Sequence, residues 1–562
     1  MGNRIGMLFL SLLLVPTIAS TLSDQELSDF STYLEEVIKC KQVPGGVVSI
    51  VERGRTVFTK SFGYFDIEKT RKITDDTKFC LGSLTKAFTS AVIAKLLSQQ
   101  SSYTWDTPVA QILGPSFRLE NDLLTRNVNL RDLLGHRVGV PSNFVPLLVG
   151  FPENTSRQQF IEMLAYQKPS EPLRTKFLYS NYMYTLAGYV AEKISGKSWE
   201  TLVREILFEP LGMNASGFVN EEKNFSQFSP AFVYIDGKQD KIDQNLLYTV
   251  APGGPAGAIY STAADMDKWM NFHLGNGSEL IPEAYFSELH TEQMITVPPK
   301  NNLYKPDYPI SDVTRAYCLG WISSVYRGYR KVWHSGGIAG YVSMLWLFPD
   351  LESGVFVALT GAKDNQHTHS VDAIVNQAAD LLIGDTPWLN QSTACSFPAP
   401  WKDVTPVPRG TTKEPYPELY WNISESADVY AGLYGHLAFG NMTVTTDDHG
   451  ILLHYGRFGK MRLLPIDRKI FSGYFLDNLS YMTNSDGNTR PFVIEFKFSG
   501  DNVVESLEFS VNLSTSQKTS FKRIDKTRRV HYRNVSNSFT SVRQSQGFGT
   551  VLSMTTAWYL YH

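Results

Sequence analysis

The sequence predicts an α+β domain followed by a smaller all-β unit, and three observations carry that expectation. A helix and a β-hairpin open the chain, a long helix-rich stretch punctuated by Pro and Gly follows, and strand character then returns before a closing helix. Beyond a segment rich in Pro, Thr, Ser and Lys, the text changes to short alternating runs separated by Gly-type turns, as in Met442-Thr443-Val444-Thr445 and Val493–Phe498. Hydrophobic residues make up 43% of the 562 and charged residues 19%, enough apolar surface for packed cores and too little charge for disorder.

The elements follow in order. Leu27, Phe30, Leu34 and Val37 at helical spacing predict an amphipathic helix over residues 24–40, which Pro44-Gly45-Gly46 ends. Val47–Val51 and Val57–Phe62, joined by Arg53-Gly54-Arg55, read as a hairpin. Ala87, Ala91, Ala94 and Leu97 share one face of a helix starting near Ser83. Helices dominate from about 125 to 290. Strands are expected at 318–326, 331–334, 342–348 and 354–360, then a helix over 368–383. The domain expectation is a first domain at 21–385, a linker at 386–420, a β-barrel or sandwich at 421–526 and a basic tail at 527–562. Eight basic residues stand against Asp525 alone in 518–543, which reads as a solvated tail.

Function classes narrow on charge. Fifty-two basic against 55 acidic residues give a net charge of −3, which argues against nucleic acid or a basic membrane-surface role. The long apolar run at the N-terminus, Met7–Val15, is short for a membrane span and precedes the small residues Ala19 and Ser20, so residues 1–20 read as a cleaved signal peptide. Sequons at Asn154, Asn214, Asn224, Asn276, Asn390, Asn422, Asn441, Asn478, Asn512 and Asn534 agree with a secreted, extracellular glycoprotein. Cys40, Cys80, Cys318 and Cys395 allow three pairings; one or two disulfides, or buried thiols, stay open. They lack CxxC spacing, and His367-Thr368-His369 with Asp372 misses the spacing of a metallo-hydrolase, so no metal and no cofactor is expected.

Chemistry concentrates in three strings. Ser83 and Lys86 in Gly82-Ser83-Leu84-Thr85-Lys86 lie one helical turn apart, so a lysine kept neutral by burial can take the serine's proton. Tyr179-Ser180-Asn181 precedes a helix carrying Leu186, Val190 and Ile194, and His334-Ser335-Gly336-Gly337 falls on an expected strand. Bland readings stand beside these: Gly336 and Gly337 for close backbone packing, and His136 as a satisfied structural histidine.

In this order the strings resemble the serine β-lactamase and penicillin-binding-protein superfamily, in particular its class C β-lactamase and D-aminopeptidase/esterase branch. Leu133–Pro141 is similar to that branch's LLxHxSGxP segment, with Val138 departing from Ser, and Glu192–Gly196, Pro210–Met213 and Pro255–Met266 also resemble family text. The resemblance covers about residues 25–385; the β-rich end more loosely resembles a lipocalin-like domain. It implies an antiparallel sheet flanked by helices with a helical subdomain, and an acyl-enzyme on Ser83. It further implies proton transfer by Lys86 and by a Tyr179 of lowered pKa, and Asn181 hydrogen-bonded to Lys86 and to the substrate amide. Backbone N–H groups of Ser83 and Gly337 would form the oxyanion hole. His334 stands where lactam-handling relatives carry Lys and, with Gly336 and Gly337, would face the substrate; its near-neutral ring disfavours anionic β-lactams. The expected function is a secreted serine hydrolase acting on an ester, amide or D-amino-acid-type substrate. The competing expectation, from a resemblance to gigasin-type shell-matrix proteins, is an extracellular-matrix structural protein with matrix partners and little turnover.

Overall fold

The computed structural model describes residues 22–235, 238–275, 277, 279–296, 302–361, 367–402, 421, 423–484, 491–500, 502–512 and 517–524. The expected signal peptide, the basic tail and the sequons Asn276, Asn422 and Asn534 lie outside them.

Helix α1 (Asp24–Lys41) starts on a Ser23 capping box with Glu26 and ends on Gln42 in the left-handed region. The hairpin β1 (Gly45–Glu52) and β2 (Arg55–Gly63) follows. After a 3₁₀ turn at Gly82–Leu84, α2 (Thr85–Ser98) opens a helical region that includes α3 (Asn181–Ser195) and α4 (Ala263–Leu274). The chain returns to the sheet through β3 (Met294–Ile295), β4 (Asp312–Tyr317), β5 (Ile322–Tyr326), β6 (Tyr329–Ile338), β7 (Tyr341–Phe348) and β8 (Ser353–Thr360), before α5 (His367–Leu382) and α6 (Gln391–Ser396).

These strands make one antiparallel eight-stranded sheet of order β2-β1-β8-β7-β6-β5-β4-β3. Alternation along β1 and β8 splits the core. Val48, Ile50, Val355 and Val357 pack toward α1 and α5, while Val47, Val51, Phe356 and Ala358 face the side of α2 and α4. Burial on both faces explains why β1, β7 and β8 read as continuous apolar runs.

Two sequence expectations need correction. The linker does not begin at 386: residues 386–402 fold onto the first domain, where Cys395 is disulfide-bonded to Cys40 of α1 and Trp388, Phe397 and Trp401 pack together. Pro398 and Pro400 made that stretch read as a linker, but a covalent tie and three large rings hold it. Cys80 and Cys318 are buried free thiols. Second, the strand expected at 318–326 begins only at Ile322, because Cys318–Trp321 form the turn between β4 and β5.

The C-terminal unit is a closed barrel of β9 (Gly432–His436), β10 (Gly440–Asp447), β11 (Gly450–Tyr455), β12 (Gly459–Pro465), β13 (Ile470–Phe475), β14 (Phe492–Phe498), β15 (Val504–Phe509) and β16 (Thr519–Ile524), each paired with its neighbour and β9 with β16. That is the up-and-down closure of a lipocalin-like barrel. Its interior is filled by side chains such as Tyr434, Met442, Phe471, Ile494, Phe496 and Phe521, all under 1% exposed. The barrel seats on the helical region: the Arg457 N–H donates to Val149 O and Gly150 O, and the Val145 N–H to Val511 O. Asn154, Asn214, Asn224, Asn390, Asn441 and Asn478 are exposed, and Asn512 is half-buried.

Candidate active site

Close backbone packing sets the first two groups. Phe79–Cys80 pairs with Ile259–Ser261, and the Leu81 N–H donates to Ile259 O at 2.9 Å. The chain then turns at Gly82, whose φ is +54° and where a Cβ would come 2.6 Å from the nitrogen of Gly337. A Cβ at Gly336 would meet Leu81 O at 1.9 Å. Strand β6 is thus pressed against the turn carrying Ser83, which brings the Gly337 peptide beside the Ser83 peptide at a helix start.

Lys86 Nζ lies 2.9 Å from Ser83 Oγ, 2.8 Å from Asn181 Oδ1 and 2.8 Å from the carbonyl oxygen of Ala256. The side chain is fully buried, and burial alone drives its ammonium well below the ordinary lysine range. A neutral amine has two N–H groups and one lone pair. In that neutral form, with the N–H groups given to Asn181 and Ala256, the lone pair would face the Ser83 hydroxyl. The Tyr179 O–H donates to the same Ser83 oxygen at 2.8 Å.

Here the structure departs from a further expectation, that of a Tyr179 with a lowered pKa. The Tyr179 phenol is pushed well above its ordinary range, chiefly by burial, and the Ser83 hydrogen bond only partly opposes this. Lys86 Nζ sits 4.7 Å from the centre of the Tyr179 ring, and the same burial that disfavours its charge weakens the field that could stabilise a phenolate. Both shifts run toward the uncharged form, the direction that suits Lys86 to accept a proton and Tyr179 to donate one.

The third string divides. Gly337 lines the cleft above Ser83, together with Gly82, Asn181, Thr185 and the apolar side chains of Phe144, Leu147, Leu148, Leu246, Val250 and Ile338. His334 and Gly336, expected at the substrate, do not line it. His334 is 1% exposed, with Nδ1 2.6 Å from Ser335 O and Nε2 2.9 Å from the Tyr317 hydroxyl. Donation from Nδ1 to the carbonyl leaves Nε2 to accept from Tyr317, so this ring orients a buried tyrosine. Gly336 serves the close approach to Leu81.

Sequence reasoning missed two contributors. The barrel supplies Leu479 and Tyr481 to the wall of this cleft of about 730 Å³, which is open to solvent. Asn478 Nδ2 donates across the same seam to Asp243 Oδ2. No local pattern marks residues that meet across about 400 positions of sequence. Among the described residues, no Lys, Arg, His, Asp or Glu lines the cleft.

The chain is similar to several known proteins. A family model described as Beta-lactamase matches residues 30–380. The chain is 27% identical over 462 residues to a protein named unguisins hydrolase from Aspergillus campestris, covering 79% of this chain and 83% of that one. It is 28% identical over 247 residues to gigasin-6 from Magallana gigas, covering 43% of this chain and 81% of the relative. Among solved structures, the octameric penicillin-binding protein homologue from Pyrococcus abyssi superposes with a TM-score of 0.53 at 21% identity, over 88% of this chain and 99% of that one.

Proposed function

The chain belongs to the beta-lactamase family, and on that footing we propose that it is a secreted serine hydrolase, transferring an uncharged, apolar acyl group from an ester, amide or D-amino-acid-type substrate to Ser83 and then to water. One observation carries this reading: the buried Lys86 Nζ and the Tyr179 hydroxyl converge on Ser83 Oγ at 2.9 and 2.8 Å.

The steps follow from those positions. As Ser83 Oγ bonds to the substrate carbonyl carbon, its proton passes to Lys86 and the carbonyl oxygen becomes an oxyanion beside the Ser83 and Gly337 N–H groups. On collapse, the bond to the leaving group breaks, Tyr179 protonates that group, and the Lys86 ammonium returns a proton to Tyr179. Water then attacks the acyl-enzyme, giving its proton to the same pair, and the acid leaves with Ser83 restored. The uncharged wall of the cleft favours a neutral acyl group, so neutral esters and amides are turned over faster than anionic β-lactams.

Secretion is supported by the apolar N-terminus, ten sequons and the Cys40–Cys395 disulfide, a bond that persists in oxidising compartments. A complete proton-transfer set around Ser83 argues against the alternative reading as a pure matrix scaffold. A fluorescent fluorophosphonate should form an adduct on Ser83, located by mass spectrometry, and Ser83→Ala should abolish it. Labelling of another serine in the Ser83→Ala protein would overturn the mechanism.

A further inference from the structure

The segment that carries Tyr179 and Asn181 is gripped from one side by a single residue. His136 has φ +55° and is fully buried. Its carbonyl accepts the Leu178 N–H at 2.8 Å, and its ring Nδ1 accepts the Ser180 N–H at 3.0 Å. Both peptide N–H groups flanking Tyr179 therefore end on His136. The imidazole also lies against the ring it helps to place, with centroids 4.2 Å apart, and against Tyr317 at 4.6 Å and Tyr184 at 5.1 Å.

The grip has a rigid base. Asp132, fully buried, pairs with Arg137 Nε at 2.7 Å and with Arg174 Nη2 at 2.7 Å, and the Arg174 N–H donates to Arg137 O at 2.7 Å. Ser170 N–H donates to Gly139 O at 2.9 Å. Residues 136–139 and 170–180 thus run as a laced pair. The lacing ends where Ser180 passes into α3, one residue before Asn181, whose Oδ1 holds Lys86.

We propose that His136 is a positioning residue: through the Ser180 N–H and the Leu178 N–H it fixes the Tyr179 phenol over Ser83 and Asn181 against Lys86, holding the general acid in register with the nucleophile. Accepting at Nδ1 requires the neutral ring with its proton on Nε2. The left-handed backbone narrows what can replace it. Asn tolerates that conformation and its Oδ1 can stand in for Nδ1, whereas Ala keeps neither advantage.

This inference rests on the hydrolase reading for its kinetic consequence, so two measurements are needed. The first is kcat/KM for p-nitrophenyl butyrate and ethyl butyrate on wild type, His136→Ala and His136→Asn. A poor leaving group depends on Tyr179 and a good one much less, so the ratio of p-nitrophenyl to ethyl ester should rise about tenfold in His136→Ala and return near wild type in His136→Asn. A variant that merely folds less well lowers both rates equally and leaves the ratio alone. The second is amide hydrogen exchange by mass spectrometry. His136→Ala should lose protection over residues 178–181 with α2 unchanged, and His136→Asn should regain it. A wild type inactive on both esters would count against the hydrolase reading, and the exchange data would then decide the grip alone. Unchanged protection over 178–181 in His136→Ala, or an unchanged ester ratio in an active enzyme, overturns the proposal.

Discussion

Two of the buried lysines, Lys86 and Lys331, sit in different surroundings, and of this pair only Lys86 is equipped to act as a base. Lys86 and Lys331 are each under 2% exposed, and each packs against aromatic rings. Lys331 Nζ stands 3.5 Å from the centre of the Trp346 ring and 2.6 Å from Asp312 Oδ2, with Asp372 adding a second negative field. Burial lowers its ammonium, and the two carboxylates pull it back. Lys86 has only neutral oxygens among its described hydrogen-bond partners, so nothing offsets the desolvation. Equal burial thus gives a structural ion pair in one place and a proton acceptor in the other. The carboxylate decides which.

The largest test removes the base. Lys86→Ala should lower kcat/KM for p-nitrophenyl butyrate by about 10²–10⁴-fold, the range for losing general acid–base help. Lys331→Ala should leave activity per folded molecule intact and lower the unfolding midpoint instead, because it strands Asp312 without its partner. Similar kinetic losses in both variants would erase the distinction.

A subtler variant converts one environment into the other. Asn181→Asp places a carboxylate where Asn181 Oδ1 now lies, 2.8 Å from Lys86 Nζ. An opposite charge at that range raises an ammonium pKa by about 1–3 units. Since the base must be neutral, the acid limb of the pH–rate profile should move to higher pH by that amount, with activity recovering at alkaline pH. A uniform loss with an unmoved limb would mean that Asn181 acts on substrate alone.

How far the sequence foretold these arrangements depended on range. Ser83 and Lys86 are three residues apart, so helical geometry alone places them together, and the 47–62 hairpin was equally local. Around Lys86, the contact with Asn181, 95 positions away, came only from the family resemblance, and that with the Ala256 carbonyl, 170 positions away, came from no reading of the sequence, because no spacing rule reaches that far. His136 read as a satisfied structural histidine, yet its acceptors hold the peptides on both sides of Tyr179. His334 read as a substrate contact because its string sits on the right strand. Alternation along β6 turned the ring inward to Tyr317, while Gly337 reached the cleft. The disulfide partner of Cys40 lay 355 residues on, inside a stretch whose composition suggested a linker.

The smallest effect probes the paired lysine's own surroundings. Asp372 is pushed up to about 7, first by burial and then by Asp312, against the pull of Lys331 and Lys41. An unfolded aspartate has a pKa of about 3.9. Between those values the folded chain keeps a proton that the unfolded chain has released. Stability from this group is therefore full below about pH 4 and declines as pH rises through about 7, levelling beyond it. Asp372→Asn cannot ionise and loses this slope. Its midpoint relative to wild type should climb between pH 5 and pH 8 by about 5–10 °C, because about two pH units of the window lie in that range at about 1.4 kcal/mol each, and 1 kcal/mol moves a large domain by about 2–4 °C. The removed charge also helps hold Lys41, whose ammonium burial lowers to about 8 and whose Nζ donates to Phe397 O at 3.0 Å. Part of the gain is thus returned at the segment that carries the disulfide. Thermal melts of both proteins at matched ionic strength decide it. A difference that stays flat from pH 5 to 8 would show that Asp372 titrates alike folded and unfolded, and that Asp312 alone sets the charge on Lys331.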